Sequence, residues 1–251
     1  MLRRATDLQR FKVRATDGEI GDVDEFYFDD ETWTLRYVVV ETGSWLSKRR
    51  VLVAPEAFGL PDWPLRELPV ELTREQVKDS PPIDTEKPVS RQHELDYRAY
   101  FGWPTYSTSG LGFAPLGAPM TEQLMEQVEA KRDRAVEAGD PHLRSSRAVT
   151  GYHIEARDGE VGHVEDFLVD DETWAIRYIM IDTRDWLPGK HVLLGPEWVQ
   201  EIDWAAAKVR VDVERDQIKQ APEFDASAPV GRDYEEALHA HYGRKPYWPT
   251  S

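Results

Sequence analysis

The chain contains no cysteine, which excludes a disulfide framework, a thiol nucleophile and a zinc–thiolate site and suits a reducing compartment. It has no apolar run near the roughly 20 residues needed to cross a bilayer. Its opening Met1-Leu2-Arg3-Arg4-Ala5-Thr6-Asp7 lacks the apolar stretch of a secretory signal. The expectation is a cytoplasmic protein without an integral membrane segment. Basic side chains are outnumbered, 31 against 47 acidic, for a formal net charge of −16. A nucleic-acid binder needs a positive footprint to displace counterions, so no nucleic-acid partner is expected. No His-Glu-x-x-His, Gly-x-Ser-x-Gly or P-loop motif occurs, and the sequence nominates neither a catalytic residue nor a cofactor.

What the chain does have is a long internal repeat. Asp17-Gly18-Glu19-Ile20-Gly21 returns as Asp158-Gly159-Glu160-Val161-Gly162, and Asp29-Asp30-Glu31-Thr32-Trp33 returns as Asp170-Asp171-Glu172-Thr173-Trp174, each 141 positions later. The same offset relates Trp45-Leu46 to Trp186-Leu187, Pro55-Glu56 to Pro196-Glu197, Asp62-Trp63 to Asp203-Trp204 and Gln76-Val77-Lys78 to Gln217-Ile218-Lys219. Solenoid units recur at roughly 20 to 50 residues, so this period is a duplicated domain. The division read from it is a first unit at 1–102, a linker at 103–143 and a second unit at 144–251.

Each unit reads as a mainly β meander. Asp17-Gly18 supplies a hairpin turn, and Ile20 to Phe28 follows as a strand. After the acidic turn, Trp33 to Glu41 has apolar residues at both parities, which implies burial on both faces. Pro69 places the strand at Leu65–Leu72 on an edge or bulge. Thr73 and Gln76 have the spacing of a capping box, and Ser90 to Gly102 reads as a second helix ending in an aromatic tail. The linker is rich in Gly, Pro, Ser and Thr until about residue 120. A helix is expected from there to about 138, with Met120, Leu124 and Val128 on one stripe.

The Gly-containing hairpin, Asp-Asp-Glu-Thr-Trp, Arg-Tyr ahead of an apolar strand, and Pro-Glu resemble the PRC-barrel family. So do Leu72-Thr73-Arg74-Glu75-Gln76-Val77-Lys78-Asp79-Ser80-Pro81 and Tyr100-Phe101-Gly102-Trp103-Pro104. That family includes the cytoplasmic domain of the photosynthetic reaction-centre H subunit and the C-terminal domain of the ribosome maturation factor RimM. The resemblance implies two small antiparallel β-barrels, each followed by short helices and an aromatic tail, and a module that docks to protein partners.

The leading functional reading is therefore a non-catalytic adaptor whose protein partner is unnamed by the sequence. The two barrels are expected to pair within the chain or through a homodimer. Two alternatives stand beside it: a divalent-metal-dependent hydrolase, and a quinone- or electron-transfer-associated protein at a membrane surface. The candidate oxygen ligands for a hard cation are Asp29, Asp30 and Glu31 and their repeats Asp170, Asp171 and Glu172, although turn chemistry explains them more simply. Positions retained in both units are read as fold-defining: Gly18, Gly21, Trp33, Arg36, Tyr37, Trp45, Pro55 and Trp63, with Gly159, Gly162, Trp174, Arg177, Tyr178, Trp186, Pro196 and Trp204. Arg36 and Arg177 are expected to pair with carboxylates of the acidic turns. The rings of Tyr100, Phe101, Trp103 and Tyr106, and of Tyr242, Tyr247 and Trp248, are candidate interaction residues, too apolar to stay free in water. His239 and His241 are two apart on a helix and make a poor ligand pair. Their counterparts Arg98 and Tyr100 indicate that a His pair is not a property of the repeat.

Overall fold

The computed structural model describes residues 1–81, 91–103, 142–183, 190–226 and 228–249. The expected linker helix at about 120–138, Tyr106 and Trp186 lie outside the described residues. In the first half the strands are β1 (Leu2–Arg4), β2 (Lys12–Ala15), β3 (Gly18–Asp29), β4 (Thr34–Thr42), β5 (Arg50–Val53) and β6 (Glu67–Pro69). In the second they are β7 (Leu143–Ser145), β8 (His153–Ala156), β9 (Gly159–Asp170), β10 (Ile176–Asp182), β11 (His191–Leu194), β12 (Val199–Asp203) and β13 (Lys208–Val211).

The strands form two sheets, ordered β5-β4-β3-β2-β6 and β11-β10-β9-β8-β13-β12. Both are mixed, because β2 pairs with β6, and β8 with β13, in parallel. Neither sheet closes on itself, where the family resemblance led us to expect closed antiparallel barrels. The first sheet also lacks a partner to β12. Phe58–Asp62 makes only two isolated bridges, Phe58 with Val70 and Asp62 with Glu67. Pro61 has no N–H to give a ladder and Gly59 has no side chain to pack, whereas the matching Val199–Asp203 has neither defect.

The long strands β3 and β9 each carry a glycine that the pairing requires. A Cβ on Gly21 would lie 2.0 Å from the Glu41 carbonyl oxygen, and one on Gly162 equally close to that of Asp182. The neighbouring strand passes where a side chain would be.

The two halves exchange their N-terminal arms. Strand β1 of the first half adds to β9 of the second, Leu2 opposite Asp170 and Arg4 opposite Leu168. Reciprocally, β7 adds to β3, Leu143 opposite Asp29 and Ser145 opposite Tyr27. Between these lies the centre of the pairing. There Thr34 bridges to Ala175, the Leu35 N–H donates to the Trp174 carbonyl at 2.9 Å, and the Ile176 N–H donates to the Trp33 carbonyl at 2.7 Å. Trp33 and Trp174 hold φ at 53° and 58°, a left-handed conformation that is costly for so bulky a residue. In both, that conformation accompanies a carbonyl given to the opposite half. Every contact of this set recurs at the 141-residue offset, so the halves are related by an approximate two-fold.

One buried core accordingly runs through both halves. Phe28 meets Phe167 with ring centroids 5.3 Å apart, and Phe58 meets Trp174 edge-on at 4.9 Å. Alternation along β4 sends Val38 and Val40 into this core, and Tyr37 and Val39 to the other face, where Tyr97 covers them. Tyr97 belongs to the helix Arg91–Phe101; the helix Arg232–Tyr242 takes the same place on the second sheet. A shorter helix, Arg74–Asp79, is capped by Thr73 and Gln76 in the reciprocal manner read from the sequence.

Candidate functional site

The acidic turns hold the exchanged arms. Asp30 accepts from Arg144 Nε at 2.8 Å and lies 2.9 Å from His142 Nδ1, both residues of the second arm. At the equivalent place Asp171 lies 3.6 Å from Arg3 Nε of the first arm and accepts from the Trp63 indole N–H at 3.0 Å. The Arg3 guanidinium stacks over Trp63 at 4.3 Å, and that of Arg144 over Trp204 at 3.8 Å, geometries that favour a cation against a ring face.

The first aspartate of each turn works inward. Asp29 Oδ1 accepts from the backbone N–H groups of Glu31 and Thr32 at 3.0 and 2.9 Å, and Oδ2 accepts from the buried Arg36 at 2.7 Å. Burial pushes the Asp29 carboxyl up, but those N–H groups and the Arg36 charge outweigh it, leaving it below the ordinary carboxylate range. Asp170 shows the same balance, with burial opposed by the Glu172 N–H and the Thr173 hydroxyl; Arg177 stands 3.8 Å away. Glu31 and Glu172 are exposed. Among the described residues no group of three or more His, Asp or Glu side chains is arranged to hold a metal.

Beyond the turns, each arm presses on a buried carboxylate. Ser145 Oγ donates to Glu25 Oε2 at 2.5 Å. On the other side the Thr6 hydroxyl donates to Asp166 Oδ2, and the Thr6 N–H to Oδ1 at 3.3 Å. Asp166 is 3% exposed. Burial, only partly opposed by the Thr6 and Phe167 donors, raises its pKa to about 6. Glu25 and Asp166 stand in the sequence only among the clustered acidic positions, and Thr6 and Ser145 carry no signal of their own there. The return of Leu2-Arg3 as Leu143-Arg144 is the one sequence signal that could have pointed to the arms.

A second polar cluster clasps each tail helix to its own sheet. In the second half Tyr178 donates to Glu235 at 3.0 Å and lies 3.0 Å from His239 Nε2, and Tyr247 donates to the same Glu235 oxygen at 2.7 Å. Burial drives the Tyr178 and Tyr247 hydroxyls well above the usual phenol range, with the Glu235 carboxylate adding to it. Burial also lowers His239, favouring the neutral ring. In the first half Arg98 Nε donates to Tyr37 Oη at 2.9 Å and Nη1 to Glu56 at 3.1 Å. Arg98 and His239 thus serve the two tyrosines alike. Tyr100 and His241 also correspond, each bonding a carbonyl of the short helix, Gln76 at 3.1 Å and Gln217 at 2.7 Å. The residues differ between halves while the bonds are kept.

The remaining aromatic tail residues pack on the same half. Phe101 stacks on Trp103 at 4.4 Å, Tyr242 lies 4.7 Å from Trp198, and Trp248 meets His239 edge-on at 5.2 Å. Trp45 donates its indole N–H to the Ile20 carbonyl at 2.6 Å, and Gly18 and Gly159 turn their hairpins at φ of 148° and 141°. Pro55 and Pro196 each open a single 3₁₀ turn. Among the described residues four large apolar side chains are exposed, Met1, Leu60, Leu65 and Tyr100, and the most exposed are Leu60 and Leu65, 74% and 67%, on the loop between β5 and β6. Their counterparts are Glu201 and Ala206.

Among the described residues no helix is long and apolar enough to cross a membrane. No curated protein matches the chain. Residues 2–57, from the exchanged arm through the 3₁₀ turn after β5, match the family model of the PRC-barrel domain, and the chain carries a PRC-barrel domain there.

Proposed function

We propose that the protein is a non-catalytic adaptor, built from two PRC-barrel-type halves corresponding to 1–102 and 144–251 and working in the cytoplasm. The second half is assigned to the same type because its strand order, arm exchange and glycine positions repeat those of the matched half. The observation that carries the reading is the use made of the shared polar side chains. Asp29, Asp30 and Arg36, Asp171 and Arg144, and Tyr37 and Tyr178 are all engaged in holding turn, arm or helix. The PRC-barrel domain is of the protein-interaction type, and fold alone does not assign chemistry.

What supports a partner contact at the first half's loop is that Leu60 and Leu65 are exposed there and have Glu201 and Ala206 as counterparts in the second half. The test is affinity capture with the whole protein as bait beside a Leu60→Asp/Leu65→Asp variant, with circular dichroism confirming an unchanged fold. A defined protein retained by the first and lost by the second is expected. Recovery of identical proteins by both baits, or of no specific protein, refutes the assignment.

A further inference from the structure

We propose that the two halves are keyed to one another: each N-terminal arm fits the socket of the opposite half, and the first arm misfits the socket of its own. The chain is then a two-fold heterodimer fused into one polypeptide. This inference does not depend on what the surface binds.

Most of the interface is symmetric, and symmetry alone gives no preference for unlike over like pairing. The preference comes from three arm and socket positions where the halves differ in a compensating way. Phe26 and Phe167 occupy equivalent places beside the arms, and each backbone N–H needs an acceptor away from water. In the first socket the Phe26 N–H donates to Ser146 Oγ of the incoming arm at 3.3 Å, while Glu25 takes the Ser145 hydroxyl. In the second socket the incoming arm has Ala5 where the other has Ser146, and so brings no hydroxyl there. The Phe167 N–H donates instead to Oδ1 of the adjacent Asp166 at 2.8 Å, a bond the shorter aspartate makes with its own neighbour. The rest of the Asp166 carboxylate is satisfied by Thr6. Where the first arm has Thr6, the second has Arg147, which reaches Asp24 at 2.6 Å.

Exchanging the arms breaks the arrangement of the first socket. The first arm on the first socket offers Ala5 to the Phe26 N–H, which loses its acceptor. The second arm on the second socket replaces Thr6 with Arg147, but its Ser145, which donates to Glu25 at the equivalent place, still brings a hydroxyl to Asp166, so the discrimination rests on the first socket. Each unsatisfied buried group weakens pairing by roughly tenfold to a hundredfold. That is enough to choose between pairings whose remaining contacts are equivalent.

Two experiments test this. A protease site is placed within residues 104–141 of the full chain, cut under native conditions, and the products are incubated in mild denaturant to permit exchange before native mass spectrometry. One complex with a single copy of each half is expected. Separation of the halves, or like pairs in statistical proportion, overturns the proposal. In the uncut chain, giving the second arm the residues of the first (Ser145→Arg, Ser146→Ala and Arg147→Thr) is expected to lower the unfolding midpoint by roughly 2–8 °C. Adding Glu25→Asp, which lets residue 25 accept from Phe26 as Asp166 does from Phe167, is expected to recover much of that loss. No recovery on adding Glu25→Asp overturns the compensation.

Discussion

Asp166 makes the first arm's docking depend on pH. Its carboxyl is buried against the arm and its pKa rises from 3.8 to about 6, burial being the main cause, with the Thr6 hydroxyl and the Phe167 and Thr6 N–H groups opposing it. Arg4, whose positive charge acts on Asp166, lies 2.6 Å from Asp7 and pairs there. A shift of about 2 units corresponds to on the order of 3 kcal/mol. The folded pKa lies above the unfolded one, so the native state holds the proton more tightly. The stabilisation from this group is complete below about pH 3.8 and is lost as pH rises through about 6. Asp166→Asn removes the titration while its side-chain oxygen still accepts from Thr6. The other carboxylates titrate alike in both proteins and cancel in the comparison. At roughly 2–4 °C per kcal/mol for a chain this size, the wild-type midpoint should gain roughly 6–12 °C on the variant as pH falls from 7 to 4. Thermal unfolding followed by circular dichroism at half-unit pH steps reads this directly. Thr6→Val removes one of the donors that oppose burial and should move the inflection to higher pH. Parallel pH curves for wild type and Asp166→Asn would refute the argument.

Three further outcomes follow from the same contacts. Tyr37→Phe deprives the buried Arg98 of an acceptor and should cost about 1.5–3 kcal/mol in urea unfolding. Tyr178→Phe should cost about 1–2 kcal/mol, since Glu235 keeps Tyr247 and its neighbour is an uncharged ring. Gly162→Ala and Gly21→Ala should both lose folded protein in chemical denaturation, the former more, because its φ of 138° adds backbone strain to the clash with the neighbouring carbonyl. Asp171→Ala should release the first arm, read as faster hydrogen exchange at Leu2–Arg4 while the β4 amides stay protected.

The elements were largely legible because their causes are local. The Gly18 hairpin, the capping box at Thr73 and the two-faced burial of β4 each follow from residue type and spacing within a few positions. The pairing of Arg36 with the acidic turn was also readable, a lone arginine in an apolar strand needing a carboxylate nearby. The exchange of arms was not. Three-residue strands carry almost no periodicity, and their partners sit 160 or more positions away for the first arm, as Thr6 and Asp166 show. The open, mixed sheets were missed for a related reason: the parallel pairing of β2 with β6 is decided by the path of the intervening loop, not by the strands themselves. At the clasp, comparison of the halves pointed the wrong way. His239 aligned with Arg98 looks like a lost feature, yet each bonds the tyrosine at the equivalent strand position, Tyr178 and Tyr37, because that bond asks only for an N–H near a phenol oxygen.

The retained residues therefore report on the joint as much as on each half's own framework. A left-handed tryptophan is an expensive way to close a turn, and a hairpin that needed only to reverse the chain would do it with Gly or Asn. Trp33 and Trp174 instead lend their carbonyls to the opposite half's strand and their rings to the shared core. Asp30 and Asp171 likewise spend their charge on arms that belong to the other half. Residues shared by the halves for these contacts hold an interface, and such an interface leaves the outer surfaces of the two halves free to differ. They have diverged most plainly where Leu60 and Leu65 face Glu201 and Ala206 across the approximate two-fold. A partner binding that loop meets one copy of it per chain. The duplication thus builds a nearly symmetric body with two exposed leucines on one half only, an asymmetry that two identical halves in a homodimer would not provide.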